Sequence, residues 1–256
     1  MDGDPALLAR YECKYLVPDS AVPELRRCIR PFLQPDRFAA ESAGTYPLCS
    51  LYLDSPDLRL LDMGNQGWSE RFKLRVRSYS DLPEEPVYLE IKRRSDGIVH
   101  KRRLRIERQA ALAFLRARAG DGLGSPGNAA ALSEFGSLAL AYRARPVLRI
   151  RYLREAHESR AGDPLRITFD TRIEQAWSRA GDIALDGGAW RAVPLGGTVL
   201  EIKFTNLYPA WVRALIRRFE LERRSLSKYS LAMESARDER PGSARPGAGP
   251  ARLRTS

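Results

Sequence analysis

Short segments in which a cation alternates with an apolar residue constrain this chain more than any other feature. Arg71-Phe72-Lys73-Leu74-Arg75-Val76-Arg77 sets four cations against three apolar side chains, and Lys101, Arg103 and Arg105 stand opposite Leu104 and Ile106 in the same way. Tyr88–Lys92, Arg149–Tyr152, Arg166–Arg172 and Glu201–Phe204 repeat the pattern. Successive side chains on a strand point to opposite faces, so each segment is a strand with one charged and one oily face.

A single such strand is an ordinary antiparallel strand with a solvated face. Six of them, dominated by Arg with only isolated acids, imply more. Arg holds its charge in crowded surroundings and matches phosphate oxygens bidentately. If the sheet closes, the charged faces meet in a lumen, and cations gathered there repel one another unless an anion joins them. Arg71 to Arg77 spans ~20 Å at ~3.3 Å per residue, a length suited to a triphosphate or a phosphate chain. The acids on these faces, Glu12, Glu90, Asp170 and Glu201, are candidate ligands for Mg²⁺ or Mn²⁺, with salt bridging to neighbouring Arg as the plainer alternative. For Glu201 the metal role is favoured.

Strands are predicted at Ala9–Val17, Pro47–Asp54, Glu70–Ser80, Val87–Lys92, Ile98–Glu107, Pro146–Leu153, Leu165–Arg172, Gly181–Leu185 and Val199–Phe204. Helical spacing is read at Ser20–Leu33, with Ser20 as its cap, and at Asp57–Met63, Arg108–Ala117, Ala129–Tyr142, Pro209–Phe219 and Ser227–Arg237. Too few strands are separated by full-length helices for a parallel sheet. An α+β fold with a closed antiparallel sheet and helices at its edges is expected. Gly120–Asn128 reads as a loop, and the Pro/Gly/Arg-rich stretch 238–256 as a disordered tail after a folded domain spanning 1–237.

Composition narrows the function. Lys and Arg number 43 against 32 acids, a net +11, and the tail with four Arg and two acids supplies only +2 of it. The folded body is therefore basic, and its partner is expected to be anionic. Two histidines argue against a zinc hydrolase or a His-based triad. Three cysteines without metal-ligand spacing suit a reducing, cytoplasmic setting. No apolar run approaches the ~18 residues of a membrane span, and no P-loop sequence is present.

Taken in order, Arg10–Tyr15 (RYECKY), Ser50–Ser55 (SLYLDS), Arg71–Tyr79 (RFKLRVRSY), Tyr88–Lys92 (YLEIK), Lys101, Arg149–Tyr152 (RIRY), Arg166–Asp170 (RITFD), Leu200–Phe204 (LEIKF) and Ser227–Tyr229 (SKY) resemble the VTC polyphosphate-polymerase domain of the triphosphate tunnel metalloenzyme superfamily (CYTH-like). The resemblance covers about Arg10 to Ala236 and implies an eight-stranded antiparallel tunnel. It further implies binding of ATP or another triphosphate with a divalent metal, and transfer of the γ-phosphoryl group to inorganic polyphosphate. Lys14, Arg75, Arg77, Lys92 and Lys228 look like the catalytic cations. Lys101, Arg149, Arg151, Arg166 and Lys203 look like phosphate contacts, with both Arg149 and Arg151 pointing inward by alternation, and Arg71, Lys73 and Arg103 join them as phosphate-binding candidates by alternation alone. Glu201 resembles the metal-binding glutamate, with Glu12, Glu90 and Asp170 as further candidates. Arg10 stands where the adenylate cyclase–thiamine triphosphatase branch has the first Glu of E-x-E-x-K, which favours the VTC branch. Neither the SPX domain nor the membrane anchor of the larger eukaryotic relatives is expected in these 256 residues.

Two alternatives share the tunnel or dispense with it: a metal-dependent hydrolase of triphosphate or polyphosphate, and a non-catalytic binder of polyphosphate or nucleotide. Nucleic acid is disfavoured, because the interleaved aromatics face the apolar side. Tyr52, Tyr79 and Tyr152 are the aromatic candidates for a base stack, with packing as the alternative. Cys13 reads as a buried thiol and His100 as a loop-edge side chain.

Overall fold

The computed structural model describes residues 10–95, 98–119, 130–160, 164–178, 181–205 and 209–238. Their strands are β1 (Arg10–Val17), β2 (Leu33–Pro35), β3 (Tyr46–Asp54), β4 (Arg71–Ser78), β5 (Val87–Ser95), β6 (Ile98–Ile106), β7 (Arg145–Ser159), β8 (Arg166–Trp177), β9 (Arg191–Ala192) and β10 (Thr198–Thr205). The helices are α1 (Val22–Ile29), α2 (Arg37–Glu41), α3 (Arg59–Asn65), α4 (Arg108–Ala119), α5 (Ala130–Ala141), α6 (Ala210–Arg218) and α7 (Lys228–Asp238). The expected loop at 120–128 and the tail from 239 lie outside the described residues.

Eight strands form one antiparallel path, β1-β10-β8-β7-β3-β4-β5-β6, with β2 beside β7 and β9 beside β8. The expected α+β architecture and antiparallel pairing are therefore present, but the closed barrel is corrected. Strands β1 and β6 come alongside, yet no ladder joins them among the described residues. Side chains bridge the path instead, as Lys92 on β5 reaches Glu12 on β1 at 2.8 Å. Register also brings like charges face to face, Arg71 opposite Arg94 and Lys92 between Lys73 and Lys101, pairings that destabilise a ladder. Alternation tells which residues share a face; it carries no information on the tilt and shear that closure demands.

Apolar side chains cover the outer face in two clusters. Leu51, Leu74, Val76 and Leu89 pack beneath Leu115 of α4 and Phe135 of α5. Cys13, Tyr15, Ile167 and Ile202 pack beneath Leu25 and Ile29 of α1 and Leu215 of α6. The buried spacing Val22, Leu25, Ile29 is what makes α1 a one-sided helix. Ser20 does not cap it: a short 3₁₀ turn, Asp19–Ala21, precedes the helix, whose N-cap is Ala21. A third cluster fills one part of the inner face, where Leu148, Ile150 and Tyr152 meet Tyr229, Ala232, Met233 and Ala236 of α7.

Asp54, fully buried at the end of β3, ties three elements together. Its carboxylate accepts from the amides of Leu60 and Leu61 at the start of α3, at 2.8 and 2.9 Å, and from the Tyr229 hydroxyl at 2.9 Å. Several predicted boundaries change. The helix expected over Ser20–Leu33 spans Val22–Ile29, and Leu33 opens β2. Strands β7 and β8 run on to Ser159 and Trp177, since their ladder continues where the hydrophobic alternation fades. The strand expected at Gly181–Leu185 is irregular, because Asp182 and Asp81 side chains take the amides of Ala184 and Leu185.

Candidate functional site: a face of cations knotted by buried carboxylates

One face of the sheet collects nearly all the charged side chains singled out by alternation. Lys14 and Glu12 enter from β1, Lys73, Arg75 and Arg77 from β4, and Glu90 and Lys92 from β5. Lys101 and Arg103 come from β6, Asp170 from β8, and Glu201 and Lys203 from β10. Lys228 arrives from α7, which lies against this face.

Carboxylates organise the cations into knots. Glu90, with no exposed side-chain surface, lies 2.6 Å from Arg75, 2.8 Å from Lys101, 3.5 Å from Arg103 and 3.9 Å from Arg77. Burial alone would favour its neutral form, but the Arg75 and Arg77 guanidiniums and the Lys101 ammonium outweigh that and hold it far below the usual carboxylate range. Glu12 meets Lys14 at 3.1 Å and Lys92 at 2.8 Å. Burial and the neighbouring Glu201 oppose its ionisation, yet Lys14, Lys92 and Lys203 bring it to about 2. Asp170 accepts both Nε and Nη2 of Arg154, at 2.7 and 2.8 Å, and lies 2.6 Å from Lys228. Against the cost of burial, these cations also hold it at about 2. Glu201 binds Lys203 at 2.7 Å and is held well below its ordinary value, mainly by Lys203 and Lys14 acting against burial.

These shifts have a sign that can be measured. Each carboxylate titrates lower in the folded chain than in the unfolded one, so its contribution is complete above pH ~4.5 and is lost as pH falls through the native values. The melting temperature should be level between pH ~5 and ~7 and drop steeply from pH ~4.5 to ~2. A profile flat down to pH 3 would show the four acids unpaired.

Lys73 differs from the other cations. Its ammonium donates to Ser227 Oγ at 2.6 Å, and no carboxylate pairs with it among the described residues. Burial, then the nearby Lys14, Lys92 and Arg75, push it down to about 8. Tyr52 sits beside it, donated to by Arg75 Nη1 at 3.2 Å and stacked on Tyr229 at 4.6 Å between ring centres. Burial resists ionisation of the Tyr52 phenol, but Arg75, Lys73 and Arg77 bring it down to about 8. Arg75, Lys73 and Arg77 around the Tyr52 phenol, with no carboxylate on Lys73 among the described residues, leave positive charge here that a bound polyanion would offset.

Four expected phosphate contacts stand apart. Arg149 and Arg151 do not face inward. They lie on the outer face, where Arg149 pairs with Asp182, Arg151 donates to Glu174 at 2.7 Å, and both sit over the Trp190 ring at 4.8 and 4.5 Å. The inner side of β7 belongs to Leu148, Ile150 and Tyr152 because α7 needs an apolar bed there. Arg71 donates to the Trp68 carbonyl at the end of β4. Arg166 shares the inner face but binds Asp36 and Tyr46.

Arg154, missed by the sequence reading, is the inward arginine of β7. It lies two residues beyond Tyr152 on the same face, and the unclaimed apolar side of α7 was the signal that could have found it. Tyr152 also turns inward, accepting from Arg77 Nη2 at 3.2 Å; with Tyr52 and Tyr88 it lies on the charged face, which corrects the expectation that the interleaved aromatics face the apolar side.

No three carboxylates, histidines or cysteines converge as a preformed metal cage among the described residues. Glu12 and Glu201 lie on paired strands and share Lys203, at 4.0 and 2.7 Å. Two neighbouring carboxylates fit a Mg²⁺ or Mn²⁺ that brings phosphate oxygens and waters for its remaining positions. All four acids are paired with cations as they stand, Glu12 with Lys14 and Lys92 included, so only the adjacency of Glu12 and Glu201 on paired strands marks them as the candidate pair. The surface hollows bounded by Ser55, Arg59 and Tyr142, and by Asp19, Arg26 and Thr198, lie outside the charged face.

The VTC domain family model matches residues 9–237. Among solved structures, a putative adenylate cyclase from Bacillus halodurans is similar at 13% identity and a TM-score of 0.48, over 86% of this chain and 94% of that one. The PH1819 protein from Pyrococcus horikoshii OT3 is similar at 14% identity and a TM-score of 0.45, over 89% of this chain and 98% of that one. No curated protein matches the chain.

Proposed function

Because the chain belongs to the VTC domain family, we propose that it takes a nucleoside triphosphate by its phosphates and transfers the terminal phosphoryl group to a polyphosphate chain. The observation that carries this reading is the convergence of Lys14, Lys73, Arg75, Arg77, Lys92, Lys101 and Lys203 on one face, with Lys73 lacking any carboxylate partner among the described residues. Phosphoryl transfer needs charge neutralisation and in-line alignment more than a protein nucleophile. Arg75 and Arg77 are spaced to grip successive phosphates, while Lys73, Lys14 and Lys92 hold the opposite end of the chain in line. Glu12 and Glu201 would hold the divalent metal, which when bound would neutralise charge on the transferring phosphoryl oxygens. Arg154 and Lys228 position Asp170 and thereby set α7 over the face.

Incubating the purified protein with ATP and Mn²⁺ tests the reading: long polyphosphate is expected. Release of free phosphate alone would replace it with hydrolysis, and neither product, with salt-sensitive binding retained, would leave a binding protein. Replacing both Arg75 and Arg77 by Ala should weaken tripolyphosphate binding at least about thirtyfold, ~2 kcal/mol from two lost charge-assisted contacts. Calorimetric titration reads this directly, and an unchanged Kd would remove both arginines from the site.

A further inference from the structure

The charged face continues into aromatic rings at one edge. Tyr79 lies two residues past Arg77 on the same side of the chain, ~7 Å further along. Tyr46 and Tyr88 share that face, and Phe38 of α2 lies across them. Phe38 stacks on Tyr79 with ring centres 5.4 Å apart and planes within 10°, and it meets Tyr46 at 5.5 Å. Tyr79 meets Tyr88 edge-on at 5.7 Å. Arg103 joins the rings to the phosphate-gripping residues: its guanidinium sits 3.6 Å over Tyr88, donates to the Tyr79 hydroxyl at 3.0 Å and lies 3.5 Å from Glu90.

Phe38 is 43% exposed, so part of its ring stays open to solvent beside the Tyr79 stack. Its helix is nonetheless fixed. Asp36 accepts from the Ala39 amide at 2.8 Å and from the Tyr46 hydroxyl at 3.0 Å, and it also binds Arg166. A second exposed stack, Phe32 on Trp211, belongs to the outer face against α6 and has no such continuity with the cations.

We propose that the exposed face of Phe38, backed by Tyr79 and flanked by Arg103, is the platform on which the base of a nucleoside triphosphate stacks while its phosphates run inward past Arg77 and Arg75. The inference rests on the triphosphate reading of the same site and adds the orientation of the nucleotide. Stacking uses the π-face that every base has, so purines should bind better than pyrimidines, with little distinction between adenine and guanine.

Calorimetric titration of the intact protein in EDTA buffer, with ATP and with inorganic tripolyphosphate, separates base from phosphate. Phe38→Ala should raise the Kd for ATP about tenfold and leave that for tripolyphosphate unchanged, while Phe38→Trp should keep ATP binding at the native level. Equal losses for both ligands, or no loss for either, would overturn the platform. Wild-type protein that binds neither ligand would instead remove the triphosphate reading, and the platform with it.

Discussion

Replacing Glu90 by Gln is expected to destabilise the free protein by about 3 kcal/mol, because it strips the common counter-charge from Arg75, Arg77, Lys101 and Arg103. At this chain length that is a drop of roughly 6–12 °C in melting temperature. The four cations do not disperse when the carboxylate is lost, since their backbones are fixed on β4 and β6. Arg77 also remains tied to Ser50 and Tyr152, at 3.1 and 3.2 Å. Added tripolyphosphate should therefore restore most of the lost stability in the variant and raise the wild-type melting temperature much less. Buried Glu90 and a bound phosphate compete for the same guanidiniums, so neutralising Glu90 should tighten phosphate binding even as the empty protein weakens. Thermal melts of both proteins across a tripolyphosphate series decide it. A variant that melts like the wild type, or gains nothing more from the anion, would show that Glu90 does not hold the knot together.

Glu201→Gln should lower metal-dependent turnover at least about a hundredfold, since the divalent metal that Glu201 is proposed to hold would itself contribute several kcal/mol of charge stabilisation at the transferring phosphoryl group. The fold should tolerate the change better than that of Glu90. Glu201 has one short ion pair, with Lys203, and Lys203 is 41% exposed at its side chain and also lies 4.0 Å from Glu12. Metal-free binding of tripolyphosphate should persist or strengthen, because a negative charge leaves a face that attracts anions. Loss of turnover with retained binding identifies Glu201 as a metal-holding group. Full turnover in the variant would assign that task elsewhere, with Glu12→Gln as the matching measurement.

Individual residues show how far the sequence reached. The placement of Arg75, Glu90, Lys101 and Glu201 on one face was legible because the period of two is imposed by the backbone itself. The burial of Leu51, Leu74, Ile167 and Ile202 was legible for the same reason. Arg149 and Arg151 obey the same alternation and nevertheless face outward, because the pattern is symmetric: it separates two faces without saying which one is enclosed. Helix α7, more than seventy residues downstream, decided the matter by laying Tyr229 and Met233 on the other side of β7. Phe38 escaped notice for a different reason. Five residues are too few for a helical period, and the Asp36 carboxylate that starts α2 is held by Arg166, 130 residues away.

The sequence alone determined the chemistry available to this protein: a basic body, an antiparallel sheet of alternating strands, and a family resemblance carried by ordered motifs. Tertiary structure decided which cations meet which acids, left Lys73 without a carboxylate partner among the described residues, turned Arg154 inward in place of Arg149 and Arg151, and stopped the sheet short of a closed barrel among those residues. The division has a physical cause. Local alternation is a property of consecutive backbone bonds, whereas charge pairing and enclosure depend on contacts between segments that the chain brings together only when it folds.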